Sequence, residues 1–355
     1  MERKPLLGLT LTELQALAVE NQLPSFAGKQ IAHWLYVEHA VHLDQMTNLS
    51  RSKRALLSDQ YVTGRSEPVE VAVSEDGTRK YLFKSLSGHY IESVFIPEED
   101  RATLCVSSQV GCKMNCRFCQ TGKQGFSEQL TAADILNQIL SLPERNQLTN
   151  LVFMGMGEPF DNTDEVLKAL EILTAAYGYA WSPRRITVST IGLIPGMIRF
   201  LEQSQCHLAV SLHSPFASER QSLMPMEKVY PIEQVLEVIK RYDFRHQRRV
   251  SFEYIVFDHV NDSIRHAREL VRLLRNIPCR VNLIRYHAIP GVDLKGASEE
   301  KMIFLRDYLT DNGIRCTIRR SRGEDILAAC GLLSTARMHD EEQKKDLTFN
   351  HTTEE

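Results

Sequence analysis

The spacing of apolar and polar positions changes period along this chain. Leu11, Leu14, Leu17 and Ala18 recur at helical spacing, and Ile31, Trp34 and Leu35 repeat it, which predicts a small helical unit over residues 10 to about 62. From Val69 to Phe95 the pattern becomes that of short strands around turns. Glu75-Asp76-Gly77 predicts a hairpin turn, and Ser87-Gly88 predicts another. Beyond Thr103, strand-like runs alternate with helical ones. Strands are expected at 103–108, 151–154, 186–189, 207–212, 250–256 and 281–286. Helices are expected at 132–142, 165–175, 232–242, 263–275 and 299–311. That alternation predicts an α/β fold with a parallel sheet and right-handed crossovers.

Four segments follow: a helical accessory domain over 1–65, a β-hairpin extension over 66–102, a catalytic domain over 103–335 and a charged tail over 336–355. The tail carries His339-Asp340-Glu341-Glu342-Gln343-Lys344-Lys345 and reads as solvated or disordered.

Composition adds little about partners. With 355 residues, 43% of them hydrophobic and 25% charged, the chain has material for a proper core. A formal charge of −3 carries no global nucleic-acid signal. Basic residues nevertheless cluster at Arg51-Ser52-Lys53-Arg54, Arg184-Arg185, Arg245-His246-Gln247-Arg248-Arg249 and Arg319-Arg320-Ser321-Arg322. One such cluster is usually a solvated face; four favour local phosphate contacts. The polar residues Thr10, Thr12, Glu13 and Gln15 interrupt the first apolar stretch, which argues against a signal peptide. No apolar run approaches the ~18 residues of a membrane span. Eight cysteines without an export signal read as reduced thiols, so a cytoplasmic, membrane-free protein is expected.

Three of those cysteines are the most informative residues in the chain. Cys112, Cys116 and Cys119 have the spacing C-x3-C-x2-C. Three thiolates so placed can hold one iron–sulfur cube and leave its fourth iron open for a chelating substrate; electron carriers bring a fourth cysteine. The competing reading is a structural zinc loop, which wants a second half-site of Cys or His pairs. None of that kind appears.

The cysteine spacing resembles the radical S-adenosylmethionine (SAM) superfamily. The run Leu104-Cys105-Val106-Ser107-Ser108-Gln109-Val110-Gly111-Cys112 more narrowly resembles the bacterial RNA adenosine methyltransferases: the housekeeping carbon-2 enzymes of 23S rRNA and tRNA, and the Cfr-type carbon-8 enzymes. Further matches follow in the family's order: Phe153-Met154-Gly155-Met156-Gly157-Glu158-Pro159, Ser182-Pro183-Arg184-Arg185, Ser189-Thr190-Ile191-Gly192, Ser211-Leu212-His213-Ser214, Val281-Asn282-Leu283-Ile284 and Ala328-Ala329-Cys330-Gly331. The resemblance runs from about Leu7 to Leu333. It implies an incomplete (β/α)6 TIM-like barrel with a small N-terminal helical domain and a short β extension, and motif residues do fall just after the expected strands. The segments 281–286 and 182–194 lean toward the Cfr-like branch.

The resemblance also implies roles. Cys112, Cys116 and Cys119 would hold one 4Fe-4S cluster, whose open iron would chelate SAM. Gly157, Glu158, Ser189, Ser211, Leu212, His213 and His287 would line the SAM site, with Glu158 accepting from the SAM ammonium. Phe118 would pack on adenine or serve as a plain loop hydrophobe. His287 departs from the asparagine that most members carry; a neutral imidazole offers one donor and one acceptor. Cys330 would accept a methyl group from a first SAM. The radical from a second would take hydrogen from that methyl, and the resulting carbon radical would add to adenine. Glu92 would accept a proton, and Cys105 would release the product by disulfide formation. On residues alone, Glu92 reads as a surface glutamate on an edge strand. Cys206, Cys279 and Cys316 read as core.

The implied function is methylation of an adenine ring carbon, carbon 2 or carbon 8, in RNA, 23S rRNA foremost and then tRNA, with a one-electron reductant such as flavodoxin. A radical SAM maturase of protein or small molecules is the rival enzyme, and has no evident need for both Cys105 and Cys330. A metal-stabilised RNA-binding module is the rival without catalysis, and has no need for the SAM motifs.

Overall fold

The computed structural model describes residues 3–246 and 248–335. The charged tail expected over 336–355 lies outside the described residues. The N-terminal unit is helical as its periodicity predicts, with α1 Leu11–Glu20, α2 Phe26–Tyr36 and α3 Arg51–Gln60. Helix α1 starts where the sequence marks it. Thr10 accepts from the Glu13 amide and the Glu13 carboxylate accepts from the Thr10 amide at 2.7 Å, a reciprocal cap that satisfies two otherwise orphaned donors.

A ten-stranded sheet organises the rest: β1 Glu70–Val73, β2 Arg79–Lys84, β3 Tyr90–Pro97, β4 Ala102–Cys105, β5 Asn150–Phe153, β6 Ile186–Thr190, β7 His207–Ser211, β8 Val250–Val256, β9 Cys279–Arg285 and β10 Arg315–Ile318. The strands lie side by side in chain order. The first three and the β3–β4 pair are antiparallel; every pair from β4 to β10 is parallel. The extension is therefore not a separate hairpin but a continuation of the barrel wall. The expected turns close it: Gly77 has φ +83° and Gly88 φ +94°, a region open to glycine at no steric cost.

The six expected parallel strands are present, with connecting helices that include Ala132–Leu140, Thr163–Thr174, Ile232–Ile239, Ile264–Leu274 and Glu299–Asp311. The elements not foreseen include the helices Ile194–Gln203 and Ala217–Leu223 and the seventh parallel strand β10. The sequence of β10, Arg315-Cys316-Thr317-Ile318, is too short and polar to announce itself. It forms because its backbone completes the ladder of β9, from Arg280↔Arg315 to Leu283↔Ile318.

The helical unit sits against the barrel. Gly8, at φ +85°, passes so close to the helix at Ala132 that a Cβ would stand 2.5 Å from the Ala133 amide nitrogen. Lys168 donates to Glu13 at 2.7 Å, and Arg65 donates to the Leu140 carbonyl at 3.1 Å. Of the residues expected to grip RNA there, Arg54 donates to the carbonyls of Met46 and Leu49 instead, at 3.4 and 3.0 Å.

Candidate active site at the carboxyl end of the barrel

The parallel strands end around a recess with two connected chambers. The inner chamber, of about 150 Å³, is lined by Cys112, Cys116 and Cys119, by Gly157, Glu158, Ser189, Ser211 and His213, and by Phe118. The outer chamber, of about 400 Å³, is lined by Cys105, His287 and Leu333. Cys119, Met154, Gly155, Arg319 and Cys330 belong to both walls. Groups scattered over more than 200 residues of sequence thus meet in one place because each follows or ends a strand.

The cysteine loop connects the two strands of a hairpin, Gln109–Gly111 paired with Phe126–Gln129. Gly111 has φ +74°, and a Cβ there would stand 1.8 Å from the Gly125 carbonyl oxygen, so only glycine admits this closure. Burial pushes the Cys112 thiol up to about 12 and the Cys116 thiol well above its ordinary value, and the neighbouring thiols raise both further. Such thiols become thiolates only against bound cationic charge. The three thiols stand on one chamber wall, which fits the three protein ligands of a cluster with an open iron.

Beside them, Glu158 is buried. Its oxygens accept from the Phe160 amide at 3.1 Å and the Ile191 amide at 2.9 Å, and its own amide donates to Gln109 at 2.7 Å. Burial outweighs those donors and pushes the carboxyl up to about 7, the condition of a carboxylate that lacks a cationic partner. Gly157, at φ +98°, has the Gln109 side chain 2.5 Å from where a Cβ would be. His213 stands at φ +53°; its Nδ1 accepts from the Ile255 amide at 3.0 Å, so its proton sits on Nε2. Burial first, then the Arg220 charge, pushes this imidazole down to about 3, so it stays neutral. Phe118 meets His213 edge-on at 4.7 Å and Phe257 at 5.7 Å.

Leu212 is buried below the cavity wall and serves through its backbone: its amide donates to the Glu253 carbonyl at 2.9 Å, and its carbonyl accepts from Arg220 at 3.1 Å. His287 lines the outer chamber and not the inner one. Its Nε2 bonds the Ser321 hydroxyl at 3.0 Å, and its Nδ1 lies 3.6 Å from Glu324.

Cys105 ends β4, buried, and Cys330 is exposed on the loop that covers the recess. Burial and the neighbouring Cys330 push the Cys105 thiol up to about 12; Arg319 acts the other way. Glu92 is buried in the interior strand β3, which corrects the reading of a surface residue on an edge strand. It lines neither chamber. Lys80 lies 2.9 Å from its carboxylate, which also accepts from the Ser334 amide at 2.9 Å, tying it to the loop that carries Cys330. Cys206 and Cys316 are buried as expected, and Cys279 is half-buried.

Four residues of the site escaped the sequence reading. Arg220, 1% exposed, pairs with Glu227 and donates to the carbonyls of Leu212, Ser211 and Ile191, binding the ends of β6 and β7 together. Nothing in Ala-Ser-Glu-Arg-Gln-Ser-Leu marks it. Glu253 could have been found, as the one charged residue in the apolar run 250–256. Arg319 was legible only as part of a basic cluster. It lies 3.4 Å from Glu253 and 3.5 Å from the Met154 sulfur, between Cys105 and Cys330. Gln109 braces the site from Gln129 at 2.8 Å and Asp161 at 2.7 Å.

Comparison with known proteins bears on these observations. Residues 106–274 match the radical SAM superfamily, and residues 4–62 match the ribosomal RNA large subunit methyltransferase N-terminal domain. A Bacteroides fragilis protein named probable dual-specificity RNA methyltransferase RlmN is 61% identical over 340 residues, 96% of this chain and 99% of the relative. The dual-specificity RNA methyltransferase RlmN of Desulfotalea psychrophila is 39% identical over 346 residues, 94% of this chain and 96% of the relative. The crystal structure of a radical SAM methyltransferase from Sphaerobacter thermophilus matches with a TM-score of 0.87 at 41% identity, covering 94% of this chain and 99% of that one.

Proposed function

The chain belongs to the RlmN family of radical SAM RNA methyltransferases, and from that premise we propose that it methylates carbon 2 of adenine in 23S rRNA and tRNA. The family uses SAM and an iron–sulfur cluster. The RlmN relatives at 61% and 39% identity favour carbon 2 over the Cfr-like branch toward which 182–194 and 281–286 lean. The observation that carries the reading is the convergence of Cys105 and Cys330 on a chamber continuous with the three-cysteine loop.

Cys112, Cys116 and Cys119 would hold a 4Fe-4S cluster, which supplies the single electron that splits SAM into a hydrogen-abstracting radical. Glu158 would receive the SAM ammonium, which restores its carboxylate. Ser189, Ser211 and the neutral His213 would bind and orient the rest of SAM, while Phe118 and the buried strand ends exclude water.

Cys330 begins the reaction. Its sulfur attacks the SAM methyl carbon, the carbon–sulfonium bond breaks, and the thiol proton is released. After hydrogen removal from that methyl, the carbon radical adds to adenine and ties the protein to the RNA. The adduct then loses the ring proton and one electron, for which the cluster would be the acceptor, and becomes a closed-shell thioether. Glu92 stands behind the chamber wall, so it would take that proton only when the loop holding Ser334 moves aside. Cys105 then attacks the Cys330 sulfur. An S–S bond forms, the S–C bond breaks, and its electron pair leaves with the carbon, which takes a proton. Two electrons from a cellular thiol reset the disulfide. Attack requires a Cys105 thiolate, and alkylated Cys330 no longer opposes one, so Arg319 is left as the dominant charge beside it.

The cluster's electron would come from a small donor such as flavodoxin. The helical unit and the rim arginines Arg101, Arg320 and Arg322 would hold RNA phosphates. Nucleoside mass spectrometry of rRNA and tRNA from a deletion strain and its complement tests the assignment. 2-Methyladenosine should vanish and return; 8-methyladenosine in its place would refute carbon 2.

A further inference from the structure

The barrel's other end has no assigned role, yet its chemistry is unusual. Inward-facing positions are identified by the polar column beneath the recess: Glu253 on β8 accepts from Asn282 on β9 at 2.8 Å, and Thr317 on β10 bonds Asn282 at 2.9 Å. Two residues earlier, the same inward rows reach Ser251, Arg280 and Arg315, which are paired in register. Two earlier again, just before β8, stands Arg249, whose amide donates to His207 of β7 at 3.1 Å. Four adjacent strands thus each bring one basic side chain to the amino-terminal mouth. Arg249 and Arg315 are exposed, and Arg280 and His207 are half-buried.

These charges lack counterions. Among the described residues Arg249, Arg280 and Arg315 make no ion pair and no side-chain hydrogen bond, whereas Arg185 and Arg248 beside them are bound to backbone carbonyls. The nearest carboxylate, Glu253, is already engaged by Ser251, Asn282 and Arg319. Packing against Arg249 and Arg280 pushes the His207 imidazole down to about 4, with burial the larger cause. Like charges partly withdrawn from water and unpartnered are costly unless something anionic joins them. A barrel interior is ordinarily filled with apolar side chains.

We propose that this mouth is a second RNA contact, in which Arg249, Arg280 and Arg315 bind phosphodiester groups of the RNA on the side opposite the recess. The proposal rests on the RNA methyltransferase reading above. The arginines stand on neighbouring strands about 4.8 Å apart, with Arg249 set off from the Arg280–Arg315 row, which suits an extended run of phosphates better than one compact ion. The exposed outer pair leaves room for a chain that continues into solvent. The two ends are separated by the seven residues of β8, roughly 20 Å at strand rise. Only a large folded RNA can engage both, so the mouth would favour structured rRNA over an isolated hairpin.

The test compares the wild-type holoenzyme with the Arg249→Gln/Arg280→Gln/Arg315→Gln variant. Its probes are a multi-helix large-subunit rRNA fragment and a short hairpin cut from it, both containing the target adenine. Affinity for the fragment should fall on the order of tenfold, and its logarithmic salt dependence should become shallower by about two. Hairpin affinity and methylation rate should hold. An all-lysine triple variant should retain the salt slope, which separates charge from misfolding; if the glutamine triple fails to fold, Arg315→Gln alone should lower the slope by somewhat under one. An unchanged slope for the fragment overturns the proposal. So does inorganic pyrophosphate moving the His207 titration in an NMR experiment without any effect of the substitutions on RNA, since that identifies a small-anion site. If wild type methylates neither RNA, the enzymatic reading fails while the binding slopes still decide the mouth.

Discussion

The two ends of the barrel are built on the same strands and treat charge in opposite ways. At the carboxyl end Arg220 meets Glu227 and three carbonyls, Arg319 meets Glu253, and Glu158 meets two amides. At the amino end Arg280 lies beside Arg315 and Arg249, and the acid that acts on it, Glu253, is already bonded to Asn282 and Arg319. Paired charges hold loops in fixed positions, which chemistry at a buried carbon requires. Unpaired ones are available to a ligand that arrives from solvent. The chain entering β8 shows both regimes within five residues, from Arg249 just before the strand to Glu253 within it.

The sharpest way to break the comparison is at the cysteine loop. Cys112→Ala, Cys116→Ala or Cys119→Ala should remove the iron and all SAM cleavage while leaving RNA affinity nearly unchanged. Iron content equal to wild type in any of the three would contradict the ligand set. Next in size is Arg319. Arg319→Gln should slow resolution of the protein–RNA intermediate by about ten- to a hundredfold, the scale of losing one charge-assisted contact. The wild-type resolution rate should climb between pH 7 and 9, because the Cys105 thiol is raised, so the reactive thiolate becomes more populated as pH increases. A flat profile would remove Cys105 as the attacking group. The smallest effect belongs to His287. It faces Ser321 across the outer chamber, so His287→Asn should change SAM affinity by less than about threefold, well under one charged hydrogen bond. Burial lowers its imidazole titration, with Glu324 opposing, so it is neutral at pH 7 and SAM binding should be level from there upward. A tenfold loss of SAM affinity in His287→Asn would return it to the SAM site.

Much of this was readable from residues. The helical spacing of Leu11, Leu14 and Leu17, the turn glycines Gly77 and Gly88 and the apolar strand runs are local signals, and each formed the element it predicted. The cysteine spacing is local too. What escaped depends on sheet register. Strand β10 is specified by its neighbour. Arg220 has no local signature because its carbonyl partners lie at the ends of two different strands. The basic runs 184–185 and 248–249 looked in sequence like any solvated cluster, yet Arg185 and Arg248 are each bound to backbone carbonyls of the fold. Glu92 looked like a surface residue because nothing nearby shows that a further strand covers each side of β3.

The central claim is that Cys330 carries the methyl group and Cys105 releases the product. Intact-protein and peptide mass spectrometry of anaerobically purified wild type, Cys330→Ala and Cys105→Ala tests it most directly. The account predicts a methylated Cys330 in wild type, no protein-bound methyl in Cys330→Ala despite an intact cluster and continued SAM cleavage, and RNA covalently attached at Cys330 in Cys105→Ala. A Cys105→Ala protein free of RNA and turning over at the wild-type rate would contradict it.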